Sequence, residues 1–336
     1  MKVVEIQSFG IDELAIVDRP EPKPKAGQIV IKVKSTSLNF RDLMMVKGIY
    51  NPKLRRPLIP LSDGVGEVVE VGEGVTRVKV GDRVAGIFMQ NWIDGDITEA
   101  KSRPALGGDV DGMLAEYVCL NQNGVVKVPE SFSDDETATL PCAAVTAWDS
   151  LIYQGKLKAG DTVLIQGTGG VSIFALQLAR MVGARVIATS SSDEKLERVK
   201  AMGASDGINY KTTPNWDDQV RELTGGIGVD HIVEVGGAGT LARSFKAIRK
   251  GGKIGLIGVL AGATAEVNPM PILMKNIRVQ GIFVGSREMF EDMNRAIALN
   301  NIKPVIDRVF EFKEIREALK YMESGAHFGK ICVHVA

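Results

Sequence analysis

The sequence predicts an α/β protein with two domains, one rich in β-strands and one built around a doubly wound parallel sheet. The chain has 336 residues, which is about twice the usual length of one domain. Up to about residue 128, short β-branched segments alternate with glycine and proline. From about residue 161, short apolar segments alternate with helical patterns, which is typical of parallel strands connected by helices.

The first half of the chain is predicted to be all-β. Residues 29–33, 66–71 and 82–87 have the β-branched composition of strands, and glycines between them mark turns. Asp42 and Asp63 resemble a carboxylate pair for acid/base work, but aspartates in loops usually accept hydrogen bonds from nearby backbone amides. We therefore expect both to have a structural role as caps.

The second half of the chain contains six apolar segments that we predict to be strands. They span residues 162–166, 185–189, 206–208, 231–235, 253–257 and 277–283. The helical patterns between them lie at 171–181, 193–202, 216–223, 240–248 and, more weakly, 270–274. The end of the chain adds helical patterns at 289–300 and 312–324 and a strand at 331–335. Six strands alternating with helices predict a doubly wound, mainly parallel sheet.

Composition and charge exclude several classes of partner. The chain has 41 lysine and arginine residues and 41 aspartate and glutamate residues, so its formal net charge is zero. No overall electrostatic field therefore attracts nucleic acid or an anionic membrane. We expect a small-molecule substrate, no nucleic acid and no membrane. Cys119, Cys142 and Cys332 form no close pair, which argues against disulfides and favours a reducing compartment. Because the N-terminus lacks the apolar core of a signal peptide, we predict a cytoplasmic location.

A glycine-rich segment gives the sharpest local signal. Residues 166–172, here called the glycine loop, read Gln-Gly-Thr-Gly-Gly-Val-Ser, follow an apolar strand and open an amphipathic helix. This context predicts a dinucleotide-binding loop, in which the helix N-terminus supplies partial positive charge to a pyrophosphate. An ordinary turn between a strand and a helix is the alternative. The residues predicted to bind the cofactor here are Gly167, Thr168, Gly169, Gly170 and Val171.

The end of the second predicted strand indicates which dinucleotide is bound. Dinucleotide-binding units usually place an acidic residue there, about 20 residues beyond the glycines, to bind the adenosine ribose. This chain has Ser190 and Ser191 instead, followed by Lys195. Hydroxyls and a lysine suit a 2′-phosphate, which a carboxylate would repel, so the predicted cofactor is NADPH. A serine cap on the helix that starts at Asp193 is the alternative, and both roles are compatible.

Several motifs stand in the order typical of a known enzyme family. They are Leu38-Asn39-Phe40-Arg41-Asp42, Lys47-Gly48-Ile49-Tyr50, residues 63–68, residues 80–84, residues 140–148, the glycine loop and His327-Phe328-Gly329-Lys330. In these motifs the whole chain resembles the medium-chain dehydrogenase/reductase superfamily, in its zinc-independent quinone oxidoreductase-like branch. The resemblance implies a GroES-like β-rich catalytic domain of residues 1–126, completed by 286–336. It also implies a Rossmann cofactor domain of residues 127–285.

The resemblance extends the predicted cofactor site. Tyr210 resembles a family position that faces the 2′-phosphate. The other residues expected to bind cofactor are Gly258, Val259, Phe283, Val284 and Lys330. The strand at 277–283 is expected to be an edge of the Rossmann sheet. Pairing it with its copy would cover exposed ladder groups, which predicts a homodimer.

Zinc-dependent relatives hold their catalytic metal with Cys, His and Cys at three places. This chain has Asn39, Ser62 and Cys142 at those places, and one soft ligand does not make a zinc site, so we predict none. Cys142 is interpreted as a small buried residue beside the nicotinamide, with redox sensitivity as the alternative. By resemblance, the catalytic candidates are Asn39, Tyr50 as a proton donor and Thr146 near the nicotinamide. A turn residue is the alternative for Asn39, and a half-buried loop aromatic is the alternative for Tyr50.

Without a Lewis acid, a conjugated acceptor is easier to reduce than a simple ketone, because the substrate itself delocalises the developing anion. The predicted function is therefore an NADPH-dependent, zinc-independent oxidoreductase acting on a small conjugated carbonyl, enone or quinone. Met44 stands where some relatives have a second tyrosine, which weakens the case for quinone. The alternatives are a zinc-independent alcohol dehydrogenase or carbonyl reductase, and an NADPH-binding protein with a nonenzymatic role in nucleic-acid binding or structure.

Overall fold

The computed structural model describes residues 1–335 and divides the chain into two compact units. The first unit comprises Met1–Val145 together with the segment from Gly285 onward, and the second comprises Thr146–Val284. Residues 127–145 therefore lie in the first unit, whereas the sequence prediction assigned them to the Rossmann domain. Side-chain contacts explain this difference, because Asp135 accepts a 2.6 Å hydrogen bond from Ser35 and Asp134 pairs with Arg83 at 2.7 Å.

The N-terminal part of the first unit contains seven strands and two α-helices, besides a 3₁₀-helix at Gln122–Gly124 and a π-helix at Leu140–Ala144. The strands are β1 (Lys2–Ile6), β2 (Leu14–Asp18), β3 (Gln28–Ser37), β4 (Asp63–Val71), β5 (Arg83–Gly86), β6 (Tyr117–Asn121) and β7 (Val125–Lys127). The helices are α1 (Phe40–Val46) and α2 (Asp134–Ala138). The prediction of an all-β first half is therefore wrong at α1. The Asp42 carboxylate accepts a 2.9 Å hydrogen bond from the Asn39 amide at the start of this helix, and Leu43, Met45 and Val46 are buried.

The second unit is a parallel sheet with intervening helices, as predicted. Its strands are β8 (Thr162–Gln166), β9 (Arg185–Ser190), β10 (Asp206–Asn209), β11 (Val229–Glu234), β12 (Ile248–Leu256) and β13 (Arg278–Gly281). Its helices are α3 (Val145–Trp148, with Val145 belonging to the first unit), α4 (Gly170–Val182), α5 (Asp193–Ala201), α6 (Trp216–Leu223), α7 (Leu241–Ala247) and α8 (Met270–Met274). The strands are ordered β10-β9-β8-β11-β12-β13, and β13 forms one edge. Leu164, Ile187, Ile232 and Ile254 from four strands pack with Phe245 of α7 in a buried core.

One strand boundary in the second unit differs clearly from its prediction. β12 starts at Ile248 rather than at residue 253, because Ile248 already pairs with Val229 of β11. The glycines at 251 and 252 lie inside this strand. Because glycine is unfavourable within strands, the composition predicted that the strand starts only after them.

The C-terminal segment returns to the first unit. It contains α9 (Arg287–Leu299), β14 (Ile306–Glu311), α10 (Ile315–Glu323) and β15 (Lys330–His334). β15 lies antiparallel to β3, with Cys332 opposite Ser37, and the main path of the sheet runs β14-β15-β3-β4-β5-β7. β14 was not predicted from the sequence, and only its Phe310 side chain is buried. In residues 1–335, no helix has the length and apolar character needed to cross a membrane.

Candidate functional site

The glycine loop has the geometry of a ligand-binding turn. Gly167 adopts a φ of +71°, a conformation that favours glycine, and its amide donates a 2.8 Å hydrogen bond to Thr189 at the end of β9. A Cβ atom placed on Gly167 or Gly169 would meet no protein atom within 4 Å, so the space above the loop is open. The loop leads into α4, whose unpaired first amides suit a phosphate. The residues present therefore fit a dinucleotide.

The glycine loop lies at the point where the strand order reverses. β8 stands between β9, the next strand in sequence, and β11, which follows only after β10. In open parallel sheets, ligands bind at the carboxyl ends of the strands on either side of such a point. Other predicted cofactor residues of the second unit lie at or just after the carboxyl ends of neighbouring strands: Ser190 ends β9, Gly258 and Val259 follow β12, and Phe283 and Val284 follow β13. The structure thus places them along one edge of the sheet.

Ser190 and Tyr210, two of the residues predicted to hold the 2′-phosphate, lie side by side at the carboxyl ends of β9 and β10. The Tyr210 amide donates a 3.0 Å hydrogen bond to the Ser190 carbonyl, and the Ser190 hydroxyl accepts a 3.3 Å bond from the Ser192 amide. Ser192 caps α5, because its hydroxyl accepts a 3.3 Å bond from the Lys195 amide. The predicted serine cap is therefore confirmed at Ser192, while Ser190 and Ser191 precede it. Tyr210 exposes 42% of its surface, which leaves its ring accessible to a ligand.

A buried carboxylate beside the glycine loop was missed by sequence reasoning. Glu234 ends β11 with no exposed surface. One of its oxygens accepts bonds from the amides of Gly236 at 2.9 Å and Gly237 at 3.0 Å, and from the Thr240 hydroxyl. The other accepts a 2.7 Å bond from the Gln166 side chain and a bond from the Ser244 hydroxyl. The signal available in the sequence is an acidic residue at the end of an apolar strand, two residues before the glycine pair at 236 and 237.

The Glu234 carboxylate holds the turn at residues 236–237, which packs against the loop after β12. Gly237 has a φ of +75°, and a Cβ atom there would come within 2.9 Å of the Gly258 carbonyl oxygen. Glycine is therefore required at residue 237. Glu234 connects the glycine loop, through Gln166, to the turn that packs against predicted cofactor residues.

The first unit contains a second candidate cluster, a ring of four buried side chains. The Lys330 ammonium donates a 2.7 Å bond to the side-chain oxygen of Asn39, and the Asn39 amide nitrogen lies 3.5 Å from the Ser62 hydroxyl. Ser62 donates a 3.1 Å bond to Asp63, whose other oxygen is 3.6 Å from the Lys330 ammonium. We call these four residues the Asn39 ring. The expectation that Asp63 caps a backbone amide is wrong, since its side chain accepts hydroxyl bonds from Ser37 and Ser62.

Lys330 was predicted to contact the cofactor, and that role stays a prediction. Its ammonium also donates a 2.7 Å bond to the Leu38 carbonyl, so its three hydrogens face Leu38, Asn39 and Asp63. The Lys330 side chain is only 3% exposed. These three polar partners all belong to the first unit.

The other catalytic candidates differ in their exposure. Tyr50 lies in the loop after α1 and exposes 53% of its surface, which also agrees with the half-buried loop aromatic considered as an alternative, and the Arg41 guanidinium lies 5.8 Å from its ring centre. Thr146 is buried at the start of the second unit, with 3% exposure. Burial raises the pKa of the Cys142 thiol far above its usual range, and the nearby Asp63 carboxylate adds to this effect. Cys142 is nevertheless partly exposed rather than buried as predicted, so redox sensitivity stays an alternative prediction.

The donor set does not fit a catalytic zinc ion. The three positions used by zinc-dependent relatives hold a carboxamide at Asn39, a hydroxyl at Ser62 and a thiol only at Cys142. Structural and catalytic zinc in proteins is bound by thiolates, imidazoles and carboxylates. Across residues 1–335, no three His, Cys, Asp or Glu side chains group together in a way that could hold a metal ion.

Asp42 lies beside the Asn39 ring and is fully buried. Besides accepting from the Asn39 amide, its carboxylate pairs with Arg41 at 3.3 Å. The prediction that Asp42 caps a backbone amide is confirmed, although it does so in the first turn of α1 rather than in a loop. Burial raises the pKa of Asp42 to about 6, against the lowering effect of Arg41.

A doubly wound sheet with a glycine loop at the reversal of its strand order defines a dinucleotide-binding protein. Comparison with known proteins identifies its family. Residues 25–130 match the model of the alcohol dehydrogenase GroES-like domain, and residues 170–299 match that of the zinc-binding dehydrogenases. A zinc-type alcohol dehydrogenase-like protein of Schizosaccharomyces pombe is 43% identical, with 99% of this chain and 98% of the relative covered. The chain belongs to the medium-chain dehydrogenase/reductase superfamily and is an oxidoreductase of that type.

Solved structures show the same fold over the whole chain. A crystal structure of a Sinorhizobium meliloti 1021 protein assigned as an alcohol dehydrogenase has a TM-score of 0.92 and 40% identity, covering 99% of this chain and 98% of that one. A mycobacterial protein solved with NADPH has a TM-score of 0.84 and 26% identity, covering 99% of both chains. These comparisons confirm a GroES-like domain joined to a Rossmann-like domain that binds nicotinamide cofactors in this family.

Proposed function

We propose that this protein is an NADPH-dependent reductase of small conjugated carbonyl compounds, such as enones and quinones, that works without a catalytic metal. The observation that supports this most directly is the Asn39 ring, which puts hydrogen-bonding groups where zinc-dependent relatives have metal ligands. A bound reduced nicotinamide supplies a hydride. The residues present offer no Lewis acid, so an acceptor whose own conjugation spreads the developing negative charge suits them best.

Each catalytic candidate has a role that follows from its chemistry. The Asn39 carboxamide donates a hydrogen bond to the substrate oxygen, which becomes more negative as hydride arrives. Removing one such donor typically slows an enzyme by about 10²–10³-fold. The exposed phenol of Tyr50 supplies the proton that completes the reduction, and the Thr146 hydroxyl contacts the nicotinamide.

The preference for NADPH is proposed from the residues after β9. Ser190 ends this strand and Ser191 follows it, Lys195 lies in the first turn of α5, and the Tyr210 amide donates a hydrogen bond to the Ser190 carbonyl. No carboxylate occupies the position that would bind a ribose diol and repel a 2′-phosphate. Among solved relatives, one is complexed with NADPH and another is named an NAD-dependent alcohol dehydrogenase, so the proposal depends on the residues at the ends of β9 and β10.

A substrate screen tests the proposal. Purified protein is given NADPH or NADH with 2-cyclohexen-1-one, 1,4-benzoquinone, a simple aldehyde and a simple ketone, and nucleotide oxidation is followed. We expect NADPH-dependent reduction of the conjugated acceptors, and about a hundredfold lower kcat in Asn39→Ala. Oxidation of simple alcohols with NADP⁺ in chelated buffer, without reduction of the conjugated acceptors, would support the alcohol dehydrogenase alternative. Absence of any turnover would favour a nonenzymatic role, which filter binding to nucleic acid would examine.

We also propose a cytoplasmic homodimer formed through β13. This strand is an edge of the sheet, and the nearby α8 exposes Leu273 by 73% and Met274 by 67%. Light scattering should give the mass of a dimer, and Leu273→Lys should shift it towards the monomer. Leu299→Lys, at an 83% exposed leucine in the first unit, is the matched control and should leave the mass unchanged. A monomeric wild-type protein would contradict this assembly.

A further inference from the structure

The direction of every hydrogen bond in the Asn39 ring is determined by its two charged members. A lysine ammonium only donates, so the Asn39 atom that faces Lys330 at 2.7 Å must be the carboxamide oxygen. The amide nitrogen therefore faces Ser62. A carboxylate only accepts, so the Ser62 hydroxyl donates its hydrogen bond to Asp63, and the Ser62 oxygen accepts a hydrogen bond from Asn39.

This fixed direction has a consequence for the remaining hydrogen of the Asn39 carboxamide. One of the two Nδ2 hydrogens is directed at Ser62, and the structure gives the other no acceptor among residues 1–335. Because the amide cannot rotate without placing its NH₂ group against the Lys330 ammonium, this second hydrogen is held as a donor. Asn39 keeps 9% of its surface exposed, which is enough for one donor to reach a ligand.

We propose that Lys330 is a positioning residue for catalysis: through the Asn39 ring it locks the Asn39 carboxamide with one N–H presented to the substrate oxygen. This inference rests on the proposed reductase function and assigns Lys330 a role different from the predicted cofactor contact. In the zinc-dependent relatives the metal itself stabilises the developing oxyanion. In this protein the Asn39 ring fixes an N–H group that does so by hydrogen bonding. A carboxamide that is free to rotate could also turn its oxygen towards the substrate oxygen and repel that charge.

The burial of the ion pair opposes any rearrangement of the Asn39 ring. Lys330 and Asp63 are 3% and 0% exposed, so each would be left as an uncompensated buried charge if the other moved. Removal of Lys330 alone therefore threatens folding as well as positioning. The double substitution Lys330→Met/Asp63→Asn removes both charges together and avoids that penalty.

The experiment is a double-mutant cycle with NADPH as the nucleotide and 2-cyclohexen-1-one and 1,4-benzoquinone as acceptors. The variants are Asn39→Ala, Lys330→Met, Lys330→Met/Asp63→Asn and Asn39→Ala combined with Lys330→Met, and the exposed Lys53→Met is the control. We expect Lys330→Met and its charge-balanced partner to lower kcat by about 10- to 100-fold, with the Kd for NADPH unchanged within about twofold. Once Asn39 is alanine, loss of Lys330 should have no further effect on kcat.

Two results would overturn the positioning role. One is multiplication of the single effects on kcat in the combined variant, and the other is a Kd for NADPH raised about tenfold at unchanged kcat, as a cofactor contact would give.

A second readout needs no turnover. The side-chain amide signals of Asn39 in a ¹H–¹⁵N spectrum, identified by their loss in Asn39→Ala, should shift and exchange faster with solvent in Lys330→Met/Asp63→Asn. Unchanged signals would show that Lys330 does not hold the carboxamide. If wild-type protein reduced neither acceptor, the proposed function would fail, while these signals would still decide whether the ring locks Asn39.

Discussion

Replacement of Glu234 by glutamine tests whether the buried carboxylate organises the cofactor edge of the sheet. A glutamine oxygen can take the place of the oxygen that accepts from Gly236, Gly237 and Thr240. The glutamine NH₂ group would then face the NH₂ group of Gln166, where the carboxylate now accepts a 2.7 Å bond. A donor would oppose a donor at a site without solvent.

The expected loss follows from these contacts. Hydrogen bonds to a charged group contribute about 1.5 to 3 kcal/mol each, and the substitution removes the charge from all of them while breaking the one to Gln166. We expect the free energy of unfolding to fall by about 2 to 4 kcal/mol. With a urea dependence of about 2 kcal/mol per molar, the unfolding midpoint should drop by about 1 to 2 M.

Urea unfolding followed by tryptophan fluorescence measures this change, because Trp216 is buried in the same unit. The exposed Glu266→Gln is the matched control and should leave the midpoint in place. Titration with NADPH should show a Kd raised about tenfold in Glu234→Gln, since the turn beside Gly258 loses its anchor. A midpoint and a Kd equal to those of the control would refute this account of Glu234.

Three further predictions concern the cofactor, the metal and pH. Ser190→Asp should raise the KM for NADPH about tenfold or more without raising the KM for NADH, and Lys195→Ala should have the same effect more weakly. Steady-state kinetics in which neither substitution changes the ratio of the KM for NADPH to that for NADH would contradict the phosphate site. Because Asn39 and Ser62 replace metal ligands, activity should survive chelation and elemental analysis should find substoichiometric zinc; stoichiometric zinc coupled to activity would contradict this. Burial raises the pKa of Asp149 to about 7, so the folded state binds the extra proton between about pH 4 and 7 and stability falls as the pH rises through that range. Asp149→Asn should remove this slope and stabilise the protein by about 2 to 4 kcal/mol at pH 8 in thermal or urea unfolding, and an unchanged slope would rule out Asp149 as its source.

The strand and helix pattern of the second unit could be predicted closely because its signals are local. β8, α6 and α8 have the predicted bounds. The residues that end such elements, namely glycines, caps and charged residues, lie close to them in the sequence. α1 could not be predicted in this way. Its seven residues are too few to show a helical period, and the hydrogen bond from the Asn39 amide to Asp42 that begins it is visible only in three dimensions.

The candidate sites also differ in how far local sequence signals could predict them. By itself the sequence determined the glycine loop, the serines in place of an acidic residue after β9 and the replacement of the zinc ligands, because these depend on residue types within short motifs. Only the tertiary structure decided how Lys330 meets Asn39, 291 positions away, and how Glu234 reaches Gln166, 68 positions away. Burial makes such bonds obligatory, since a charge shielded from water must find its partners inside the protein. Which partners it finds depends on strand order and register, which place distant segments side by side.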